Sequence, residues 1–192
     1  MTDNTKSKEL YFSNKLLIST NNLRDSFFDQ TVIYLVSHNA DGAMGVIINK
    51  QIEQSSLADI AEQFGITRTD ILYDAGIYFG GPVEVGKGFV IHTSEYTSGD
   101  TIDNENGISM TSSLEIVEDI SEGKGPLKYI VSLGYAGWEA GQLEKEIYEN
   151  SWLVAPSDAE LMFDTSNFEK WSKAAKAIGV DINRVSEMVG NA

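Results

Sequence analysis

Apolar residues are grouped along this chain with periods that assign most of its elements. Positions 128–133 are rich in β-branched and aromatic side chains, the pattern of a buried strand, and glycines follow at 134, 137 and 141. Ala136, Ala140, Leu143 and Ile147 then recur at i, i+4, i+7 and i+11, one face of a helix, while Glu139, Glu144, Glu146 and Glu149 fall off that face. This stretch predicts a strand, a glycine turn and an amphipathic helix, with the glycines letting the helix lie close on the strand it has just left. Further strands are predicted at 16–19, 31–37, 44–49, 77–79, 88–93, 108–111 and 151–154, and helices at 56–64, 112–121, 158–163 and 167–178.

Turn and capping residues punctuate the pattern. Asp41 and Gly42 make 38–43 a hairpin connection, and Gly80, Gly81 and Pro82 a turn after the strand at 77–79. Gly65, Gly123 and Gly179 are placed to end helices. Ser112 with Glu115 three residues on reads as a capping box. Residues 21–30 read as a loop or short helical turn that inserts Phe27 and Phe28 into the core, and the acidic segment 94–107 as a mobile loop. Residues 66–75 have no single reading. In the last helix, Trp171, Ala174, Ala175 and Ile178 form the inner face.

The run GYAGWEAGQLEKEI followed by NSWL resembles the signature of the YqgE/AlgH family of small bacterial proteins. The segments LLISTNNLRDSFFDQTVIYLVSHNADGAMGVIINK and GGPVEVGKGFVIH, and the closing LMFD and FEKW, are similar to the same family in the same order, from Leu16 onward. One departure is that Asn49 and Lys50 are followed by Gln51 where the family usually has proline. The resemblance implies a single cytosolic α+β domain whose mixed, bifurcated β-sheet curls into a pseudo-barrel with packed helices. It also implies a transcriptional-regulator label without an established activity.

A chain of 192 residues suits one domain, taken as 14–192 behind a polar tail at 1–13. It has no cysteine, which excludes disulfides and thiolate metal sites and is compatible with a reducing cytoplasm. No apolar run approaches the length of a membrane-spanning helix. The formal charge of -15 bears on the regulator label, because DNA affinity depends largely on basic side chains displacing counterions from phosphates. Lys170, Lys173 and Lys176 make the one basic stripe, read as a solvated helix face near a C-terminus. Direct nucleic-acid binding is therefore disfavoured.

Catalytic signatures are missing or misspaced. The glycines of 134–141 match neither G-x-G-x-x-G nor a nucleotide-triphosphate loop, and Glu139 at the predicted helix start would repel an anion. His38 and His92 lie at or near strand ends and are the only side chains that titrate near neutrality by default. Two histidines without metal-ligand spacing make neither a metal site nor a cofactor site. Asp100, Asp103 and Glu105 crowd one loop in the wrong register for an EF-hand, and the G-x-S-x-G elbow is absent. Tyr135 and Trp138 suit either a core or a contact surface, and Gln142 either satisfies a backbone group or presents its amide to a ligand. The residues marked for ligand or partner binding are accordingly His38, Gly80, Gly81, Pro82, His92, Gly134, Tyr135, Gly137, Trp138 and Gln142. The leading expectation is a binding or regulatory protein that acts through a protein partner or small ligand. The alternative is a hydrolase-like enzyme using His38 or His92 in a pocket bordered by the glycine turns.

Overall fold

The computed structural model describes residues 11–24, 26–67, 69–103 and 105–182. Its strands are β1 (Lys15–Ser19), β2 (Val32–Asn39), β3 (Gly42–Ile47), β4 (Gln51–Ser56), β5 (Gly76–Phe79), β6 (Val83–Thr93), β7 (Ile102–Asp103), β8 (Ile108–Thr111), β9 (Tyr129–Glu139) and β10 (Trp152–Pro156). The helices are α1 (Leu57–Ala61), α2 (Asp70–Asp74), α3 (Glu115–Ser121), α4 (Gln142–Tyr148) and α5 (Asn167–Ala177). The strands join in the order β10-β1-β2-β3-β9-β6-β8-β7, with β4 and β5 branching from β9. The class is α+β, and the sheet bifurcates where β9 passes from β5 beside residues 131–133 to β3 beside residues 136–139. Every pairing is antiparallel except β5 with β9.

Burial on both faces explains the uninterrupted apolar strands. Leu16 and Ile18 point into one cluster with Trp171 and Ala174 of α5, whereas Leu17, Ile33 and Ile47 point into another with Leu143 of α4. The β6/β9 limb uses Phe89, Ile91 and Ile130 on the first of these sides and Val90 and Val131 against α1, α2 and α3 on the other. A strand with helices over both faces has no polar side to show.

The 128–147 stretch is built differently from the predicted strand, turn and helix. Gly134 and Gly137 lie inside β9, which runs on to Glu139, and the helix starts only at Gln142 after Gly141. Ala136 therefore belongs to a strand, and of the predicted helical face only Leu143 and Ile147 are in α4. Close approach is provided by Gly134 alone of these three, and between strands, whereas a Cβ on Gly137 would meet nothing nearer than 3.4 Å and one on Gly141 nothing within 4 Å. A Cβ on Gly80 would stand 2.1 Å from the carbonyl oxygen of Gly134, one on Gly81 2.1 Å from the carbonyl carbon of Tyr135, and one on Gly134 2.4 Å from the carbonyl oxygen of Gly81. Gly134 also takes φ of 73°, a conformation that side chains disfavour. Gly80 ties the branches together, donating its N–H to Leu133 O at 2.7 Å and accepting the Ile47 N–H at 2.9 Å.

Other expectations are corrected locally. The predicted 38–43 connection is mostly strand, with His38 paired to Ala43 and Asn39 to Gly42. Phe28 packs edge-on against Trp152, but Phe27 is 71% exposed. Residues 66–75 contain α2, and the polar strand β4 has no alternation to announce it. The acidic 94–107 segment is tethered, because β7 pairs with β8 and Asp100 accepts hydrogen bonds from Ser112 N and Oγ at 3.0 and 2.8 Å. Ser112 is thereby diverted from the capping box, and Leu114 O receives the first α3 bonds from Val117 and Glu118. A carboxylate reciprocating a serine N–H does occur at α1, where Asp59 accepts from Ser56 N at 2.9 Å. Of the predicted tail, residues 1–10 lie outside the described residues, and Phe12 and Ser13 are bonded to β2.

Lys170 overturns the solvated stripe. It is 2% exposed, donates to Ile48 O at 2.9 Å and Asn167 Oδ1 at 3.0 Å, and stands 5.6 Å from the Tyr78 ring centroid. Desolvation pushes its amine down to about 8. Only Lys173 and Lys176 remain on the surface of that helix.

Candidate ligand cavity

Strand register separates the two histidines. His38 pairs through Ala43 to Trp138 on β9, whereas His92 pairs directly with Tyr129, nine residues away along the same strand. At roughly 3.3 Å per residue this is about 30 Å, so no pocket joins them. His38 Nδ1 accepts the Phe12 N–H at 3.0 Å, leaving Nε2 to donate to Glu144 Oε1 at 3.1 Å. The rings of Tyr11 and Phe12 cover it.

Most of the other marked residues are occupied structurally. Gly80, Gly81 and Gly134 form the strand junction, with Pro82 leading from it into β6. Trp138 Nε1–H donates to Glu146 Oε2 at 2.9 Å. Gln142 accepts the Glu139 N–H at 2.9 Å and donates to Glu146 Oε1 at 2.8 Å, so its amide locks the β9–α4 turn. Tyr135, Gly137 and Trp138 also share an open, shallow groove beside Met44 and Val83.

His92 belongs to a different environment. It is fully buried, and its Nδ1–H donates to Thr93 O at 2.9 Å, because a carbonyl can only accept. Desolvation lowers its pKa, outweighing the Thr93 bond and the charges of Glu95 and Asp103. The neutral ring therefore presents Nε2 as an acceptor to Thr111 Oγ1 at 2.9 Å. Thr101 Oγ1 lies 2.7 Å from Thr111 Oγ1 and accepts the Ser98 N–H at 2.9 Å. With the Thr111 hydrogen directed to His92, the Thr101 hydrogen must go to Thr111.

Thr111 also lines a cavity of about 200 Å³ between the β6/β9 limb and helices α1 and α3. Leu57, Val90, Val117, Val131 and Leu133 provide apolar wall, while Phe64 and Leu114, 57% and 42% exposed, stand at its rim. Gly86 and Gly88 line it as well, and a Cβ on either would meet no atom within 4 Å. Neither glycine is required by a close contact, so their missing side chains leave open space. The polar edge is Thr111, Ser112 and Ser113, where β8 turns toward α3. Burial pushes the Asp100 carboxyl up, but the hydrogen bonds it accepts from Ser112 N and Oγ outweigh this and hold it below the usual range. Ser113 Oγ is buried beside Asp100 without a hydrogen bond of good geometry. Sequence reasoning read Ser112 alone here, as the start of a capping box, and gave no sign of a cavity edge.

Residues 16–183 match the family described as AlgH-like, DUF179. A UPF0301 protein of Rhodospirillum rubrum is 41% identical over 184 residues, covering 96% of each chain, and one of Thiobacillus denitrificans is 39% identical over 180 residues, covering 94% of this chain and 97% of the relative. The chain belongs to the AlgH-like family. The solution structure of the AlgH protein from Pseudomonas aeruginosa, 37% identical, matches with a TM-score of 0.78 over 100% of both chains. A Corynebacterium diphtheriae protein shares the AlgH-like fold at a TM-score of 0.67, with 16% identity and 85% of each chain covered. Among the described residues of this AlgH-like chain, no helix is long and apolar enough to cross a membrane.

Proposed function

We propose that this AlgH-like protein is a cytoplasmic, non-enzymatic binding protein with a regulatory role, and that it responds to a small, largely apolar ligand held between the β6/β9 limb and helices α1 and α3. The observation that carries this reading is the apolar cavity of about 200 Å³ with hydroxyls along one edge. An engineered apolar cavity of about 150 Å³ takes up benzene, so this space suits a single ring with a small substituent. Its walls come from separate elements, α1, α3 and three strands, so filling it would bias how the helices sit on the sheet. An acidic chain with one of its three stripe lysines buried supports an action that does not depend on direct DNA contact. The enzymatic alternative has less support, since both histidines are committed to internal hydrogen bonds.

The test is a heteronuclear NMR titration of the full chain with toluene. Saturable shifts centred on Val90, Val117 and Val131, abolished in a Leu114→Trp variant that plugs the rim, are expected. Toluene reaching its solubility limit without any saturable shift there would remove the reading.

A further inference from the structure

We propose that the groove between α2 and the turn at 123–127 is a docking site for a partner protein, which presents a cationic amphipathic helix to it. The groove encloses about 210 Å³, with buried Ile120 and Pro126 beneath and exposed Ile71 and Leu127 on its flanks. It shares no lining residue with the ligand cavity, so the two sites are separate. Leu127 is 84% exposed, yet its turn is tied down. The N–H groups of Lys124 and Gly125 donate to Asp119 O at 2.8 and 3.0 Å, and that of Leu127 to Glu95 Oε1 at 2.6 Å. A Cβ on Gly125 would stand 2.6 Å from Ile120 Cγ1, so the turn lies close on α3. An apolar side chain already fixed at the lip of a groove loses little freedom when a partner covers it.

Charge identifies the partner. Helices α1, α2 and α3 carry Asp59, Asp70, Asp74, Glu115, Glu118 and Asp119 and no lysine or arginine. Exposed Asp70 and Asp74 share α2 with Ile71, and exposed Glu122 leads into the turn. The two lysines beside the groove are already paired, Lys124 with Glu122 and Lys128 with Asp164. Arg68, between α1 and α2, lies outside the described residues. A second copy of the chain brings the same formal charge of -15 and is repelled, whereas a lysine-bearing segment is drawn in. A groove walled by side chains of a helix and a turn takes apolar anchors spaced at i, i+3 or i+4 on a partner helix.

The test titrates the full chain with a helical peptide of about 18 residues built from leucine and lysine, leucines at that spacing, and with its twin carrying glutamate in place of lysine. The lysine peptide is expected to bind saturably, with NMR shifts centred on Ile71, Gly123, Leu127 and Tyr129, and the glutamate peptide not to bind. Leu127→Ser, a surface change that leaves the fold intact, should weaken binding at least about fivefold, the loss that truncating an interface anchor brings. Tyr148→Ser should leave it unchanged, although Tyr148 is 87% exposed on the equally acidic α4. Absence of saturable binding, shifts centred elsewhere, equal effects of the two serine variants or equal binding of the two peptides overturns the proposal. So does self-association of the chain that Leu127→Ser abolishes, which would give the groove to a second copy.

Discussion

Trp138 and Trp152 meet edge-on with ring centroids 6.0 Å apart, and both indole N–H groups donate to the same oxygen, Glu146 Oε2, at 2.9 and 2.8 Å. One carboxylate thus joins β9, β10 and α4. The two indoles are 7% and 2% exposed, so neither can turn to water if the acceptor is lost. Hydrogen bonds to a charged group contribute about 1.5–3 kcal/mol each, and Glu146→Ala should therefore cost roughly 3–5 kcal/mol. Glu146→Gln, which keeps an acceptor, should cost about half as much. Urea denaturation gives the midpoints, and equal midpoints for wild type and Glu146→Ala would rule the network out as a stability element.

Gly134 and Gly88 are both glycines of the β6/β9 limb, yet alanine should separate them sharply. At Gly134 the added methyl meets a carbonyl oxygen at 2.4 Å while φ is 73°, so Gly134→Ala should destabilise by roughly 3 kcal/mol or more. At Gly88 a Cβ meets nothing within 4 Å, and Gly88→Ala should change stability by no more than about 1 kcal/mol in either direction. Thermal unfolding of the two variants distinguishes junction glycines from cavity glycines. Comparable losses would show that the strand crossing is not what Gly134 serves.

These glycines mark where sequence reading stops. Local periodicity identified β1, β2, β8, β10 and α5 because each buries an apolar stripe whose spacing survives in one dimension. Gly134 and Gly137 carry the same one-letter signal in a strand as in a turn. What decides between them is the approach of Gly81 from more than fifty residues away, which no local window contains. β4 was silent because QIEQSS holds a single apolar residue and no alternation, although it pairs with β5. The cavity was illegible for a related reason. Leu57, Val90, Val117 and Val131 look like ordinary core residues, and the space they fail to fill is a property of α1, β6, α3 and β9 together. His38 and His92 were picked out by type, but strand register alone shows that they lie far apart.

His92 supplies a pH dependence of definite sign. Burial lowers its pKa in the folded protein, so below about pH 6.5 the unfolded chain takes up a proton that the native state refuses. The stability present above that pH is lost progressively as pH falls toward the folded value. Denaturation midpoints for wild type and His92→Gln, measured between pH 7.5 and 5, should diverge at the upper end and converge at the lower. Parallel curves would mean that His92 titrates alike in both states. Thr111→Val, which strands Nε2 and the Thr101 hydroxyl, should cost about 1–3 kcal/mol at pH 7.5.

Lys170 has the same sign over a more alkaline window. Its amine, buried under Tyr78 and bonded to Ile48 O, falls to about 8 from the ordinary 10.5. Below pH 8 both folded and unfolded chains hold the proton, and folding bears the full cost of burying an ammonium group. Between pH 8 and 10.5 the native state has released its proton while the unfolded chain keeps it, so stability contributed by this site rises with pH, by on the order of 2–3 kcal/mol across the window. Tyrosines and other lysines titrate in the same range, and the difference between wild type and Lys170→Met removes them. That difference should shift in favour of wild type as pH rises from 7.5 to 10, and a side-chain NMR titration should place the Nζ midpoint near 8. A constant difference with a midpoint above 10 would mean that water reaches this amine despite its burial.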